Sequence, residues 1–75
     1  MVKVYSTESC PWCDKAKKYL KSQNISFEEF NVNEDMEARE EMINKSNQMG
    51  VPVLDIDGTI IIGFDKPAID EALNK

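Results

Sequence analysis

Two apolar runs, residues 51–56 and 59–62, are separated only by Asp57-Gly58. An Asp-Gly pair readily takes positive φ at both central positions, and the resulting turn matches the twist of paired strands, so the runs should form an antiparallel hairpin. Upstream, residues 2–6 (VKVYS) alternate with β-branched and aromatic side chains, as a strand does. Residues 26–32 (SFEEFNV) read as a second, less regular strand. Between them, residues 11–23 read as a helix. Pro11 suits its first position, Cys13, Ala16 and Leu20 recur at spacings of three and four, and Asn24 can stop it. Asn33 can cap a helix over residues 34–48, with Glu34, Asp35 and Glu37 at its positive end and Gly50 beyond its far end. Asp65 can cap a last helix, residues 66–73, that buries Ile69, Ala72 and Leu73. The expected order is β-α-β-α-β-β-α. Strands joined through a helix are parallel, with a right-handed crossover. The chain is therefore expected to be α/β, with a mixed four-stranded sheet covered by three helices.

Seventy-five residues make one domain, residues 1–75, and folding a chain of this mass buries roughly 60% of the unfolded surface. That supports one modest core and no large enclosed cofactor cavity. There is no repeat, linker or low-complexity tract. No apolar run approaches the ~20 residues of a membrane span, and the MVKVYST start lacks the apolar stretch of a secretion signal. A soluble, monomeric protein of the reducing cytoplasm is expected.

The balance of 14 acidic against 9 basic residues argues against a nucleic-acid surface. The charge is uneven. Residues 1–25 hold five lysines (Lys3, Lys15, Lys17, Lys18, Lys21) and two acids (Glu8, Asp14), a net of +3, and the remainder carries −8. This is either a pair of solvated faces of opposite sign, or local positive potential that the first helix offers to an anionic partner or a thiolate.

The chain has no histidine. Ser-His-Asp and Cys-His nucleophiles and His-based metal sites are thereby excluded, and two cysteines cannot fill a four-coordinate zinc site within one chain. The remaining chemistry lies in Cys10-Pro11-Trp12-Cys13, after a strand and at a helix start. At the N-cap, the Cys10 sulfur can accept from the N–H of Trp12 or Cys13, and the helix dipole adds positive potential. Both favour a thiolate and should lower the Cys10 pKa. Cys13 falls one turn in, on the inner face. Cys10 is then the exposed nucleophile and Cys13 the resolving thiol. Three other readings compete. One is a pair of buried structural thiols, against which a helix start after a strand is a surface location. A purely structural disulfide closing so short a loop would contribute only about 2 kcal/mol. A metal or iron–sulfur site would need ligands from a second chain or a small thiol.

These residues resemble the glutaredoxins, small proteins of the thioredoxin-like fold. The likeness runs through Val4-Tyr5-Ser6, the dithiol motif, residues 16–20 (AKKYL), residues 40–43 (EEMI), Val51-Pro52 and Gly63-Phe64-Asp65. It implies a cis Val51-Pro52 bond that turns the Val51 backbone toward the cysteines, where an extended thiol peptide can pair with it. Local sequence alone would favour an ordinary trans proline opening a strand. The likeness also implies a glutathione groove. Trp12 would be one wall, and Gly63, Phe64 and Asp65 would meet the γ-glutamyl end. Trp12 could instead simply pack on the last helix, Gly63 permit a bend, and Asp65 cap. Glutathione would be a co-substrate, with no permanently bound cofactor and no metal. Disulfide-bonded or glutathionylated proteins would be the partners.

There are departures. The lysine many members carry three residues before the first cysteine is Thr7 here, a basic residue late in the second helix is Gln48, and the threonine before Val-Pro is Gly50. The family's Gly-Gly pair is Ile62-Gly63, and its second Asp is Lys66. Two cationic contacts are missing, each worth ~1 kcal/mol, so weaker glutathione affinity is expected. Gly63-Phe64 followed by Pro67 also resembles the glutaredoxin-like hydrogen donors of ribonucleotide reductase, which take electrons from thioredoxin reductase. An iron–sulfur-binding member is the third alternative.

Overall fold

The computed structural model describes residues 2–73. Its elements are β1 (Val2–Ser6), α1 (Pro11–Ser22), β2 (Glu28–Asn31), α2 (Met36–Ser46), β3 (Val53–Ile56), β4 (Thr59–Ile62) and α3 (Lys66–Ala72). The order and types are those the sequence predicts. The sheet order is β2-β1-β3-β4, with β1 parallel to β2 and the other neighbours antiparallel. The hairpin turn has Asp57 at φ 50° and Gly58 at φ 94°. Among the described residues no helix is long and apolar enough to cross a membrane.

Alternation along the strands sends successive side chains to opposite faces. Val2, Val4, Leu54, Ile56 and Ile61 pack with Ala16 and Leu20 of α1 and Ile69 of α3. Tyr5 and Val53 face the other way, onto Val32 and onto Ala38 and Met42 of α2. Each large side chain so buried contributes about 1.5–3 kcal/mol. Both cores are small; α1 and α3 cover the first and α2 covers the second.

Polar ties fix α2. The Tyr5 hydroxyl donates to Glu41, and Lys45 reaches Asp55 at 2.5 Å and Glu41 at 3.1 Å. Lys3 meets the same Glu41 carboxylate at 3.4 Å. Burial and the bond to Glu41 push the Tyr5 hydroxyl up to about 12, and hydrogen bonds from Tyr5 and Lys45 hold Glu41 down to about 2. Burial alone would raise Asp55. The Lys45 ammonium and the Gly58 N–H outweigh it, and the carboxyl lies below its ordinary value.

Several boundaries differ from expectation. The cap of α2 is Asp35, whose carboxylate accepts from Ala38 N at 3.0 Å, not Asn33. The Asn31 carbonyl and side chain instead draw the N–H groups of residues 33–35 into a turn, so Glu34 and Asp35 fall outside the first helical turn. At the other end Asn47 adopts the left-handed conformation at φ 60°, which asparagine tolerates, and stops α2 before Gly50. Ser22 ends α1, with Asn24 left-handed beyond it. Strand β2 is four residues long, and β3 begins only after Pro52. Of the three residues expected to be buried in the last helix, Ile69 is fully buried, while Ala72 and Leu73 are half-buried.

Candidate active site

Strand β1 delivers the chain to Cys10, and Pro11 opens α1 immediately after it. Cys10 has extended backbone (φ −131°, ψ 96°), as an N-cap requires, and its Sγ accepts from the Cys13 N–H at 3.1 Å. Its carbonyl accepts the Asp14 N–H at 3.1 Å. Cys10 is half-buried, and Cys13 is fully buried on the inner face of α1. The two are joined as a disulfide, with Cα atoms 5.2 Å apart. As the helical spacing predicts, one sulfur stands at the helix start, here accepting the Cys13 N–H, and the other lies buried behind it.

Beside the disulfide, Trp12, Val51, Pro52, Ile62, Gly63 and Phe64 line an open groove of about 320 Å³. The Val51-Pro52 bond is cis. The Pro52 carbonyl accepts from Gly63 N at 2.8 Å, which ties the loop before β3 to the end of β4. Gly63 sits at φ 79°, a region that glycine enters without strain. Trp12 is 56% exposed and stacks on Phe64, with centroids 6.5 Å apart. Phe64 meets the edge of Tyr19 at 6.0 Å. The Tyr19 hydroxyl donates to Asp70, which raises its pKa, and Lys66 pairs with Asp70 at 3.1 Å. The groove wall is thus braced from α1 and α3 together.

Of the residues singled out from sequence, the structure brings Trp12, Val51, Pro52, Gly63 and Phe64 together. Asp65 stands next to the groove as the cap of α3, accepting from Ala68 N at 3.2 Å, and is exposed. Gln48 is turned back on its own loop. It donates to the Gly50 carbonyl at 3.0 Å and accepts from Gly50 N at 2.6 Å. Glu8, in the loop before Cys10, accepts from Asn31 at 2.7 Å, and that bond holds its carboxyl below the usual range.

Sequence reasoning misses Tyr19 as a brace of the groove. It does place Ile62 where the family has a glycine, and Lys15 among the lysines, with Lys18 and Lys66, that could compensate for the missing cationic contacts. Tyr19 lies seven residues after Trp12, two turns along one face, which is a usable signal. Nothing in sequence separates the exposed Ile62 from a core isoleucine. Lys15 places its ammonium 4.4 Å from the Trp12 ring centroid. A larger hollow, of about 580 Å³, lies between β2 and the start of α2, but it is lined by four carboxylates with Phe30, Asn31 and Met36 and holds no thiol. Among the described residues no three histidine, cysteine or acidic side chains cluster as metal ligands.

The glutaredoxin family pattern matches residues 2–61. Over its whole length, and the whole length of the relative, the chain is 57% identical to an uncharacterized glutaredoxin-like 8.6 kDa protein in a rubredoxin operon of Clostridium pasteurianum. It is 41% identical to glutaredoxin 3 of Escherichia coli strain K12, over 85% of this chain and 77% of the relative. Among solved structures, the thioredoxin-like protein BC3987 superposes with a TM-score of 0.90 at 30% identity, over 96% of this chain and 99% of that one.

Proposed function

The chain belongs to the glutaredoxin family and has a thioredoxin-like fold, and from that premise we propose that it reduces protein disulfides and glutathione mixed disulfides with glutathione as its recycling thiol. One observation carries the reading: a half-buried N-cap sulfur, bonded to the Cys13 N–H, in front of a buried partner sulfur and beside an open groove.

In the reduced protein, Cys10 is the nucleophile. The Cys13 N–H and the helix dipole stabilise its thiolate, so its pKa should lie below the unperturbed ~8.5. The thiolate attacks one sulfur of the substrate disulfide. That S–S bond breaks, a mixed disulfide forms on Cys10, and the departing sulfur leaves with the electron pair and takes up a proton. Cys13, deprotonated, then attacks Cys10 Sγ, releases the second substrate thiol and closes the Cys10–Cys13 disulfide. Two glutathiones restore the dithiol and leave as glutathione disulfide. Glutathione would lie in the groove against Trp12, pairing its cysteinyl backbone with Val51 beside Pro52. The N–H groups around Gly63 and Phe64 would receive its γ-glutamyl carboxylate, and Asp65 its ammonium. The protein would act as a cytoplasmic monomer without a permanently bound cofactor.

A second reading is a carrier reduced by thioredoxin reductase. Gly63-Phe64 with Pro67 favours it, and so does Gln48, whose amide is already engaged by Gly50. Turnover of a glutathionylated substrate with glutathione, glutathione reductase and NADPH should be supported by the wild type and abolished by Cys10→Ser. Cys13→Ser should retain mixed-disulfide activity and lose dithiol reduction. Full activity in Cys10→Ser would overturn the mechanism. Faster reduction by thioredoxin reductase than by glutathione would replace the first reading with the second.

A further inference from the structure

The first helix carries a basic ridge that the exchange chemistry does not use. Trp12, Lys15, Lys18 and Lys21 follow one another at intervals of three, so they lie along one oblique row that turns about 60° around the helix at each step, from the groove side across the solvent face to the far flank. All four are exposed. Lys3, Lys17, Lys45 and Lys66 are each engaged by a carboxylate: Glu41, Glu29, Asp55 and Asp70 respectively. Among the described residues no carboxylate pairs directly with Lys15, Lys18 or Lys21, although Lys21 contributes at longer range to holding the Glu29 carboxyl down. Asp14, the acidic residue of α1, is turned to Lys17 at 3.5 Å. A chain of net charge −5 therefore carries, on a row that winds away from its groove, three cations that no carboxylate of the described residues pairs directly.

Lys15 is held over the Trp12 ring at 4.4 Å, which positions the charge while leaving its N–H donors open. The row is long. At 1.5 Å per residue Lys21 lies about 16 Å along α1 from Cys10, whereas a tripeptide thiol seated at Cys10 extends only about two residues, ~7 Å, from its sulfur. A small thiol can meet the near end of the row, and only a polypeptide can cover it. We infer that this ridge docks an acidic segment of the protein partner whose disulfide Cys10 attacks. The inference rests on the exchange reading and adds to it a partner class. Opposite charge along the row steers the partner's cysteine toward Cys10, and salt weakens the steering.

The test uses two disulfide peptides of equal length, one with glutamates flanking the cysteine and one with glutamines. Each exposed ion pair is worth a few-fold, so at low salt kcat/KM should favour the glutamate peptide by about 5- to 20-fold. Near 0.5 M salt, and in the triple variant Lys15→Gln, Lys18→Gln, Lys21→Gln, the two peptides should approach parity. Equal values at low salt, or a preference that survives in the triple variant, would overturn the inference while leaving exchange itself intact. A binding arm separates the two readings. Cysteine-free versions of both peptides are titrated into the oxidised protein, with Trp12 fluorescence as the signal. Salt-sensitive binding of the glutamate peptide alone supports the ridge even if turnover is absent, and then only the exchange reading fails. Binding without charge preference, or no binding, sinks the ridge whatever the kinetics show.

Discussion

Replacing Lys45 by methionine should destabilise this protein more than any other exchange of a single surface lysine. The side chain is 30% exposed and its partner Asp55 only 12%, with 2.5 Å between ammonium and carboxylate. Methionine fills much the same volume but leaves Asp55 with the Gly58 N–H alone, at 2.9 Å. Breaking a fully buried pair costs 3–5 kcal/mol, and an exposed one contributes about 0.2–1 kcal/mol. At these exposures the loss should be about 2–3 kcal/mol, or roughly 10–20 °C in Tm for a domain this small. The pH dependence gives a second handle. In the wild type the Asp55 carboxyl is held below its ordinary value, so its contribution is present above the unfolded pKa and is lost as pH falls. Without Lys45, burial dominates and raises the folded pKa above the unfolded one. Protonation then relieves the variant, and its deficit should be largest near pH 7 and narrow toward pH 4. Urea unfolding of both proteins in the oxidised state, at the two pH values, reads this directly. Adding Asp55→Asn should recover most of the loss, since the amide oxygen can still accept from Gly58. A deficit under about 0.5 kcal/mol at pH 7, or no recovery in the double variant, would refute the reasoning.

Glu41 offers a smaller effect with the same sign as wild-type Asp55. Its carboxyl is held down to about 2 by Tyr5 and Lys45, so its contribution is present above about pH 4.5 and fades toward pH 2. With 43% of the side chain exposed, screening reduces that contribution to about 0.5–1 kcal/mol, and Glu41→Gln should flatten the acid limb of urea midpoints by that amount. Gly63→Ala meets no atom within 4 Å of the added methyl, so its cost should be conformational only, about 1 kcal/mol by thermal unfolding, from a φ of 79°. Trp12→Ala removes the exposed wall of the groove. It should raise KM for a glutathione mixed disulfide several-fold while changing kcat little, and an unchanged KM would count against Trp12 as that wall.

The order of elements was legible because each carries a local signal: Pro11 at a helix start, Asp57-Gly58 at a hairpin, Asp65 at a cap. The start of α2 was not, because Asn33 and Asp35 are both good caps. The choice between them was made by the Asn31 carbonyl, which captures N–H groups of the turn. Its end was misplaced because glycine is the commoner left-handed residue, while Asn47 takes that role here. The dithiol was legible for the same local reason as the helix that holds it. The groove required the resemblance: the hairpin register that pairs Val53 with Ile62 also sets Pro52 beside Gly63, but nothing local announces that this end of the hairpin faces Trp12. The Tyr5–Glu41–Lys45–Asp55 network was invisible, because residues up to 40 positions apart meet only once α2 has folded across the sheet.

The burial of Cys13 bears on how this protein would survive oxidants. Peroxide reaching the surface would meet Cys10 first and convert its thiolate to a sulfenic acid. The thiol waiting one turn behind condenses with it, releasing water and closing the disulfide before a second oxygen can be added. Cys13 itself, with no exposed surface, is shielded from direct attack. The closed pair is thus a resting place from which any reductant of the dithiol can retrieve the protein, and irreversible loss would require oxidant to outrun a neighbour already within bonding reach.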